Sequence, residues 1–493
     1  MSLPARGKQS AVALFVSLWQ EAEKWSGPER ASAAPPPTTF SEQAKFGLTL
    51  PADNEVYVAL RELVGHHATT SAAFRGQVLR LMRLIDECFL SIHPRSPVVA
   101  PSAGRRPILP AWLRDARDYR RLTGNYYDDG RCLLVARGPL LRGARHPIAS
   151  SADSLSDRFA ALTVVGSALT HEGRRVPVRL KTVSTSVSAG IVPGPTPGAE
   201  CVAFIPVGEA EAEIVALERN SADQMWVGFL PSDSTNAADR VLGALEATGL
   251  NVDIAMVPEF MVTETCADEL AERLAASSVS PRMVIAGSGP TRDMRDGQPW
   301  NEARILNACG TELWRQRKIW PAGLDQRRAL SFGMSDPGPD GQILEDTAAG
   351  DEVVVIDADG LGRCVVLICQ DIQMRSFTDD LIRMYQPDWV FVPILDTGVA
   401  EGRWMHTRTF ELSALSQSRF LVASSLTLAI KAKIQDPACA LAVGPKEPSG
   451  IGQTRQDVPR ALAIAKTDPQ VSPGIALIRW RSGLWLKTVV GSK

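Results

Sequence analysis

In the second half of the chain, short apolar runs alternate with segments of helical spacing. One run, Cys364-Val365-Val366-Leu367-Ile368-Cys369, follows Gly360 and Gly362 and breaks abruptly at Gln370-Asp371. A continuous apolar run of this length predicts a strand buried on both faces, as in α/β sheets. Ligands of such sheets gather at the carboxyl ends of the strands, which is where Cys369 falls. The same texture predicts strands over 202–206, 225–230, 252–257, 283–286, 352–356, 389–393 and 420–424. Helices are predicted over 237–248, with Val241, Leu242 and Leu245 inward and Gly249 as its stop, over 266–277 and over 404–418. Segments 303–308 and 313–318 read as an antiparallel pair across Gly310, and 474–480 with 484–490 as a hairpin turned at Ser482-Gly483. Strands alternating with helices, together with antiparallel pairs, predict a two-layer sheet sandwich with outer helices.

The first half reads as largely helical. Val12, Phe15, Val16 and Trp19 share one face of an amphipathic helix. The charged Gln20-Glu21-Ala22-Glu23-Lys24 that follows argues against a signal peptide. Residues 26–39 are rich in Pro and Ala and read as a linker, extended or disordered. Phe74, Val78, Leu81, Met82, Ile85 and Phe89 recur at helical spacing, while His66 and His67 fall in a solvated loop. Pro193-Gly194-Pro195-Thr196-Pro197-Gly198 is a second linker and sets the expected domain boundary. Residues 1–195 then form a helical, basic N-terminal region of unknown function, and residues 196–493 a second domain.

Composition narrows the classes. The 493 residues are 45 % hydrophobic and 22 % charged, an ordinary globular mix, and no apolar run reaches the length of a membrane span. The net charge of −2 gives no whole-chain attraction to nucleic acid or membrane. Within residues 73–181, nineteen Lys and Arg face nine Asp and Glu, with Arg105, Arg106, Arg120, Arg121, Arg142 and Arg145 prominent. Thin aromatic interleaving makes this a solvated or internally compensated face, so a nucleic-acid partner is not expected. Tyr126-Tyr127-Asp128-Asp129 reads as a hairpin turn, not a polymerase metal site, because no flanking polymerase motif accompanies it. Eight cysteines are scattered without a C-x-x-C pair, which excludes a disulfide framework and a structural zinc site and predicts a reducing, cytoplasmic setting.

Three strand ends carry an isolated ionisable group: Glu259 after Met256-Val257-Pro258, Lys318 after Arg317, and Cys369 after Ile368. A thiol nucleophile, a carboxylate to take its proton and an ammonium to hold an oxyanion together suit acyl transfer. In that order and on that scaffold they make residues 200–493 resemble the carbon–nitrogen hydrolases, the nitrilase superfamily. Gln386 to Pro393, Arg408-Thr409-Phe410-Glu411 and Phe420 to Ser425 resemble the segments that follow the nucleophile in that family.

The resemblance implies an αββα sandwich, Glu259 as general base, Lys318 as oxyanion stabiliser and Cys369 as nucleophile. It further implies no cofactor or metal, a small-molecule amide or nitrile as substrate, and a homo-oligomer. The Gln370 N–H is a candidate oxyanion donor, although the family carries an aromatic residue at that position. The family's second carboxylate after the lysine has Asp325 as its nearest stand-in, one position off. The expected activity is cleavage of a non-peptide carbon–nitrogen bond, an amide in preference to a nitrile, through a Cys thioester. The alternative is a nitrilase-like binding or regulatory module whose N-terminal region engages a protein or nucleic-acid partner. Cys364, alternating away from Cys369, is expected in the core, and His406 is expected to be structural.

Overall fold

A computed structural model of the chain describes residues 9–65, 71–94, 109–140, 154–185, 199–221, 224–248, 252–445, 460–467, 474–481 and 484–489. His66, His67, Arg105, Arg106, Arg142, Arg145, the Pro193–Gly198 stretch, Gly249 and the Ser482-Gly483 turn lie outside the described residues. The chain divides into two compact units, Met1–Ala168 with Leu180–Thr182, and Leu169–Arg179 with Val183–Lys493.

The first unit contains helices α1 (Ala11–Glu23), α2 (Gly27–Ala31), α3 (Thr38–Gly47), α4 (Asp53–Val64), α5 (Ala72–Phe89) and α6 (Ala111–Thr123), then strands β1 (Tyr127–Asp128), β2 (Cys132–Ala136) and β3 (Leu162–Gly166). The apolar faces read from the sequence meet in one core, where Val12, Phe15 and Trp19 join Val78, Met82, Ile85 and Phe89. The Pro/Ala stretch differs from its reading as an extended linker. Ser26 caps α2 through a capping box with Glu29, and the Ala34 N–H donates to Ala72 O at 2.9 Å. A Cβ on Gly76 of α5 would lie 1.6 Å from Ala34 O, so a glycine there lets the stretch pack onto the helix. Asp128 and Asp129 sit at the β1–β2 hairpin, where Asp129 Oδ1 accepts from the N–H groups of Arg131 (2.8 Å) and Cys132 (2.7 Å).

The second unit holds most of β4 (Ala168–His171) and β5 (Arg174–Val183), then β6 (Cys201–Phe204), β7 (Ile214–Asn220), β8 (Met225–Pro231), α7 (Ala237–Ala247), β9 (Ile254–Met256), α8 (Glu264–Ala276), β10 (Met283–Ile285), β11 (Gly289–Arg295), β12 (Gln298–Leu306) and β13 (Glu312–Arg317). It continues with β14 (Gly323–Asp325), α9 (Gln326–Ser331), β15 (Gln342–Glu345), β16 (Val353–Ala358), β17 (Gly362–Val366), α10 (Arg375–Tyr385), β18 (Trp389–Ile394) and α11 (Trp404–Leu415). β19 (Arg419–Ser424), α12 (Thr427–Lys431), β20 (Ala440–Pro445), β21 (Arg460–Ala465), β22 (Ala476–Arg481) and β23 (Leu484–Val489) close it.

Among the described residues these strands make two large sheets. One has the order β11-β12-β10-β9-β6-β22-β23, with β13 also on β12; the other has β21-β20-β19-β18-β17-β16-β5-β4. β14-β15-β8-β7 form a smaller third sheet. Strands β4 and β5, N-terminal to the boundary expected at 195/196, extend the second large sheet. On the first sheet, Ala203, Ala255, Val284 and Leu306 pack with Val241, Leu245, Leu270 and Leu274 of α7 and α8. The alternating residues Phe204, Met256, Ile285 and Ile305 are equally buried, because the second sheet covers that face. α10 and α11 pack beside each other on the far side of the second sheet. The layers are helix, sheet, sheet, helix, and among the described residues no helix is long and apolar enough to cross a membrane.

Arg419 of β19 joins the two sheets. Its guanidinium carbon lies 4.6 Å from the Trp389 ring centre and 4.5 Å from that of Trp480, and its Nη1 meets Glu200 Oε2 at 3.1 Å. Arg419→Ala takes a charged partner from the buried Glu200 carboxylate and is expected to cost about 3–5 kcal/mol. Adding Glu200→Gln should recover part of that loss, read from urea-unfolding midpoints followed by tryptophan fluorescence.

Candidate active site

Each expected site residue follows a strand. Glu259 stands three residues past β9, Lys318 directly past β13, and Cys369 three residues past β17. β17 ends sooner than the apolar run, because the chain turns at Cys369 into a 3-10 turn, Cys369–Gln373. β9 lies parallel to its neighbours β6 and β10, and β17 to β18, so their carboxyl ends open on the same side of each sheet.

The three residues share one buried cluster. Glu259 and Lys318 are each 1 % exposed, and Lys318 Nζ donates to Glu259 Oε1 at 2.8 Å. Glu259 Oε2 accepts the N–H of Leu395, directly past β18, at 2.9 Å, so one carboxylate spans both large sheets. Cys369 is 7 % exposed, and its thiol feels the charges of Glu259 and Lys318. Its φ of +46° is left-handed, a conformation costly for a residue with a Cβ. Outliers of this kind persist where surrounding contacts over-determine them, and they cluster at reactive sites.

Two residues that sequence reasoning missed complete the cluster. Glu345, ending β15, also accepts from Lys318 Nζ and takes the Ala322 N–H on Oε2 at 2.8 Å. Asn301 of β12 donates from Nδ2 to Glu259 Oε1 at 3.0 Å and to Glu345 Oε1 at 3.2 Å. Carboxylates only accept, which fixes the orientation of the amide. Asp325 does not reach Lys318: it is exposed and caps α9, accepting the Arg328 N–H at 2.8 Å. The second carboxylate that does reach Lys318 is Glu345, carried in from the small third sheet. Its signal was an acid closing the apolar pair Ile343-Leu344, the same pattern that marked Glu259. Asn301 had no signal beyond being a polar residue in a strand.

Asp371 ties the strand exits together. Its Oδ1 accepts the N–H groups of Ile319 (3.0 Å) and Trp320 (2.9 Å), and its Oδ2 accepts that of Ile368 (3.1 Å). Burial pushes its carboxyl up to about 7 against those three amides and the Lys318 charge. Gln370 is half-buried in the opening turn. Cys364 is fully buried, and His406 Nδ1 accepts the Gly402 N–H at 3.2 Å.

The electrostatics follow from burial. Glu259 is raised by desolvation and by Glu345, with Lys318 opposing. Burial alone would lower Lys318, but the charges of Glu259 and Glu345 outweigh it and hold the ammonium. The Cys369 thiol is pushed well above its ordinary range, first by burial and then by Glu259, with Lys318 pulling it down. Among the described residues no His, Cys, Asp and Glu cluster could hold a metal ion.

No protein-family model matches the chain, and no curated protein matches it. Solved structures do overlap with it. Nit3 of Saccharomyces cerevisiae, a member of branch 10 of the nitrilase superfamily, overlaps at 14 % identity and a TM-score of 0.31, over 46 % of this chain and 76 % of that one. The amidase from Nesterenkonia sp. overlaps at 13 % identity and 0.36, over 60 % and 94 %. A mutant of the Nesterenkonia sp. AN1 amidase, with the acetamide moiety of fluoroacetamide added covalently at its active-site cysteine, gives 12 % and 0.37, over 59 % and 94 %. Overlaps this low carry no residue roles across to this chain.

The charge balance at Cys369 is testable without a substrate. The pH midpoint for its alkylation by iodoacetamide, followed by peptide mass spectrometry from about pH 7 to about pH 11 around the ordinary thiol value, should fall in Glu259→Gln. It should rise in Lys318→Met, because the opposing positive charge is lost.

Proposed function

We propose that the protein is a thiol hydrolase that cleaves a carboxamide carbon–nitrogen bond. The observation that carries this reading is the buried Glu259–Lys318 pair at 2.8 Å beside a cysteine held at φ +46°. Cys369 gives its proton to Glu259, and its sulfur attacks the carbonyl carbon. The oxyanion that forms is met by Lys318 Nζ and the Gln370 N–H. Collapse breaks the C–N bond, the leaving nitrogen takes the proton back from Glu259, and a thioester remains on Cys369. Water then attacks the thioester, Glu259 accepts its proton, and the carboxylic acid leaves as the thiol is restored.

Glu345 and Asn301 support Glu259 and Lys318 from behind, keeping the base oriented and the ammonium charged. All eight cysteines are free, in keeping with a reducing, cytoplasmic setting. The homo-oligomer belongs to the same proposal.

Exposure to a panel of small aliphatic amides and nitriles, followed by intact-mass spectrometry and ammonia release, tests the reading. An acyl adduct on Cys369 is expected with amides. Cys369→Ala should lose the adduct and all turnover. Glu259→Gln and Lys318→Met should each lower kcat by about a thousandfold or more, since members of one catalytic group fail together. Full turnover in Cys369→Ala would overturn the mechanism.

A further inference from the structure

Lys318 works only if its main chain is fixed, and the backbone groups around it can be accounted for one by one. The Lys318 N–H donates to Asn301 O at 2.8 Å, and Lys318 O accepts the Gly350 N–H at 2.7 Å. The N–H groups of Ile319 and Trp320 go to Asp371. The next carbonyl, Ile319 O, accepts from Arg174 Nη1 at 3.0 Å. The same guanidinium donates through Nη2 to Gly350 O and lies over the Trp320 ring, 5.5 Å from its centre. Gly350 has no room for a side chain: a Cβ would stand 2.8 Å from Lys318 O and 3.0 Å from Arg317 O.

Arg174 opens β5, in a hairpin that precedes the boundary expected at 195/196. Its partner strand contributes His171, whose ring meets Trp320 edge-on at 5.5 Å and whose Nδ1 lies 2.7 Å from Ser376 Oγ. Phe377 packs against Trp320 at 4.8 Å. The hairpin therefore touches both the segment after Lys318 and the helix after Cys369.

We propose that Arg174 is a positioning residue for Lys318: by binding Ile319 O and Gly350 O together, it fixes the direction from which the ammonium enters the site. The catalytic unit then begins at the β4–β5 hairpin. This rests on the reading of Glu259, Lys318 and Cys369 as one catalytic group.

The test uses the full chain with Arg174→Ala, Arg174→Lys and, as a control, Arg179→Ala on the same strand, which loses only a half-exposed pair with Glu352. The pH profile of Cys369 alkylation is the first readout and needs no substrate. Arg174→Ala should move its midpoint upward, because a displaced Lys318 no longer lowers the thiol. Arg174→Lys, able to reach one carbonyl, should move it less, and Arg179→Ala should leave it in place. On any amide that is turned over, kcat should fall ~10-fold or more with KM little changed, the signature of a misplaced catalytic group. If Arg174→Ala does not fold, Arg174→Lys carries the test. A parental alkylation profile in the folded variants overturns the proposal. An absence of amide turnover in the parent would instead overturn the amidase reading and leave the profile comparison intact.

Discussion

The interaction on which the second unit turns is a buried ammonium between two carboxylates. Lys318 is 1 % exposed, and a lone ammonium at that depth would discharge. Glu259 and Glu345 prevent this, but together they leave one negative charge in excess. That excess, added to burial, raises Glu259. The arrangement is costly in folding terms, since buried ion pairs often do no better than apolar packing of the same shape. Its worth lies in geometry: two sheets must close correctly before Lys318 meets both partners, and a third before Glu259 meets the Leu395 amide. Glu259 comes from the first large sheet, Glu345 from the small one, and the Leu395 amide from the second.

Strain at Cys369 depends on the same closure. A left-handed cysteine holds its position only if the chain on both sides is anchored, and Asp371 supplies the anchor. Its two oxygens bind the amide before Cys369 and the two amides after Lys318. The chain at Cys369 and the chain at Lys318 are thereby fixed to one carboxylate. The abrupt polarity change at Gln370-Asp371, visible in the sequence as the end of an apolar run, is the start of that anchor.

Much of the second unit was legible because buried strands write themselves as continuous Val, Ile, Leu and Phe. The runs at 283–286, 389–393 and 420–424 fall on β10, β18 and β19. Some strands with mixed exposure were not visible, among them β7, with exposed Val215 and Leu217, and β15, which brings Glu345. Missing β15 is why the second carboxylate was sought at Asp325: sequence distance from Lys318 stood in for spatial distance. Asp325 instead does the local work that Asp does best, capping a helix. The Pro/Ala stretch after α1 misled for a related reason. Composition reports backbone stiffness, but the close approach permitted by Gly76 is a tertiary fact that composition does not record.

The proposed mechanism must also account for a nucleophile whose thiol is raised by burial. In that mechanism the proton passes from Cys369 to Glu259, so the cost is set by the difference between the two, at about 1.4 kcal/mol per unit. Desolvation raises both groups and Lys318 lowers both, so these effects partly cancel in the difference. In the proposed mechanism a carbonyl entering the site adds a demand for negative charge, and its oxyanion offers Lys318 a partner beyond the two carboxylates. Proton transfer would then become favourable only as charge develops on the substrate oxygen beside the ammonium.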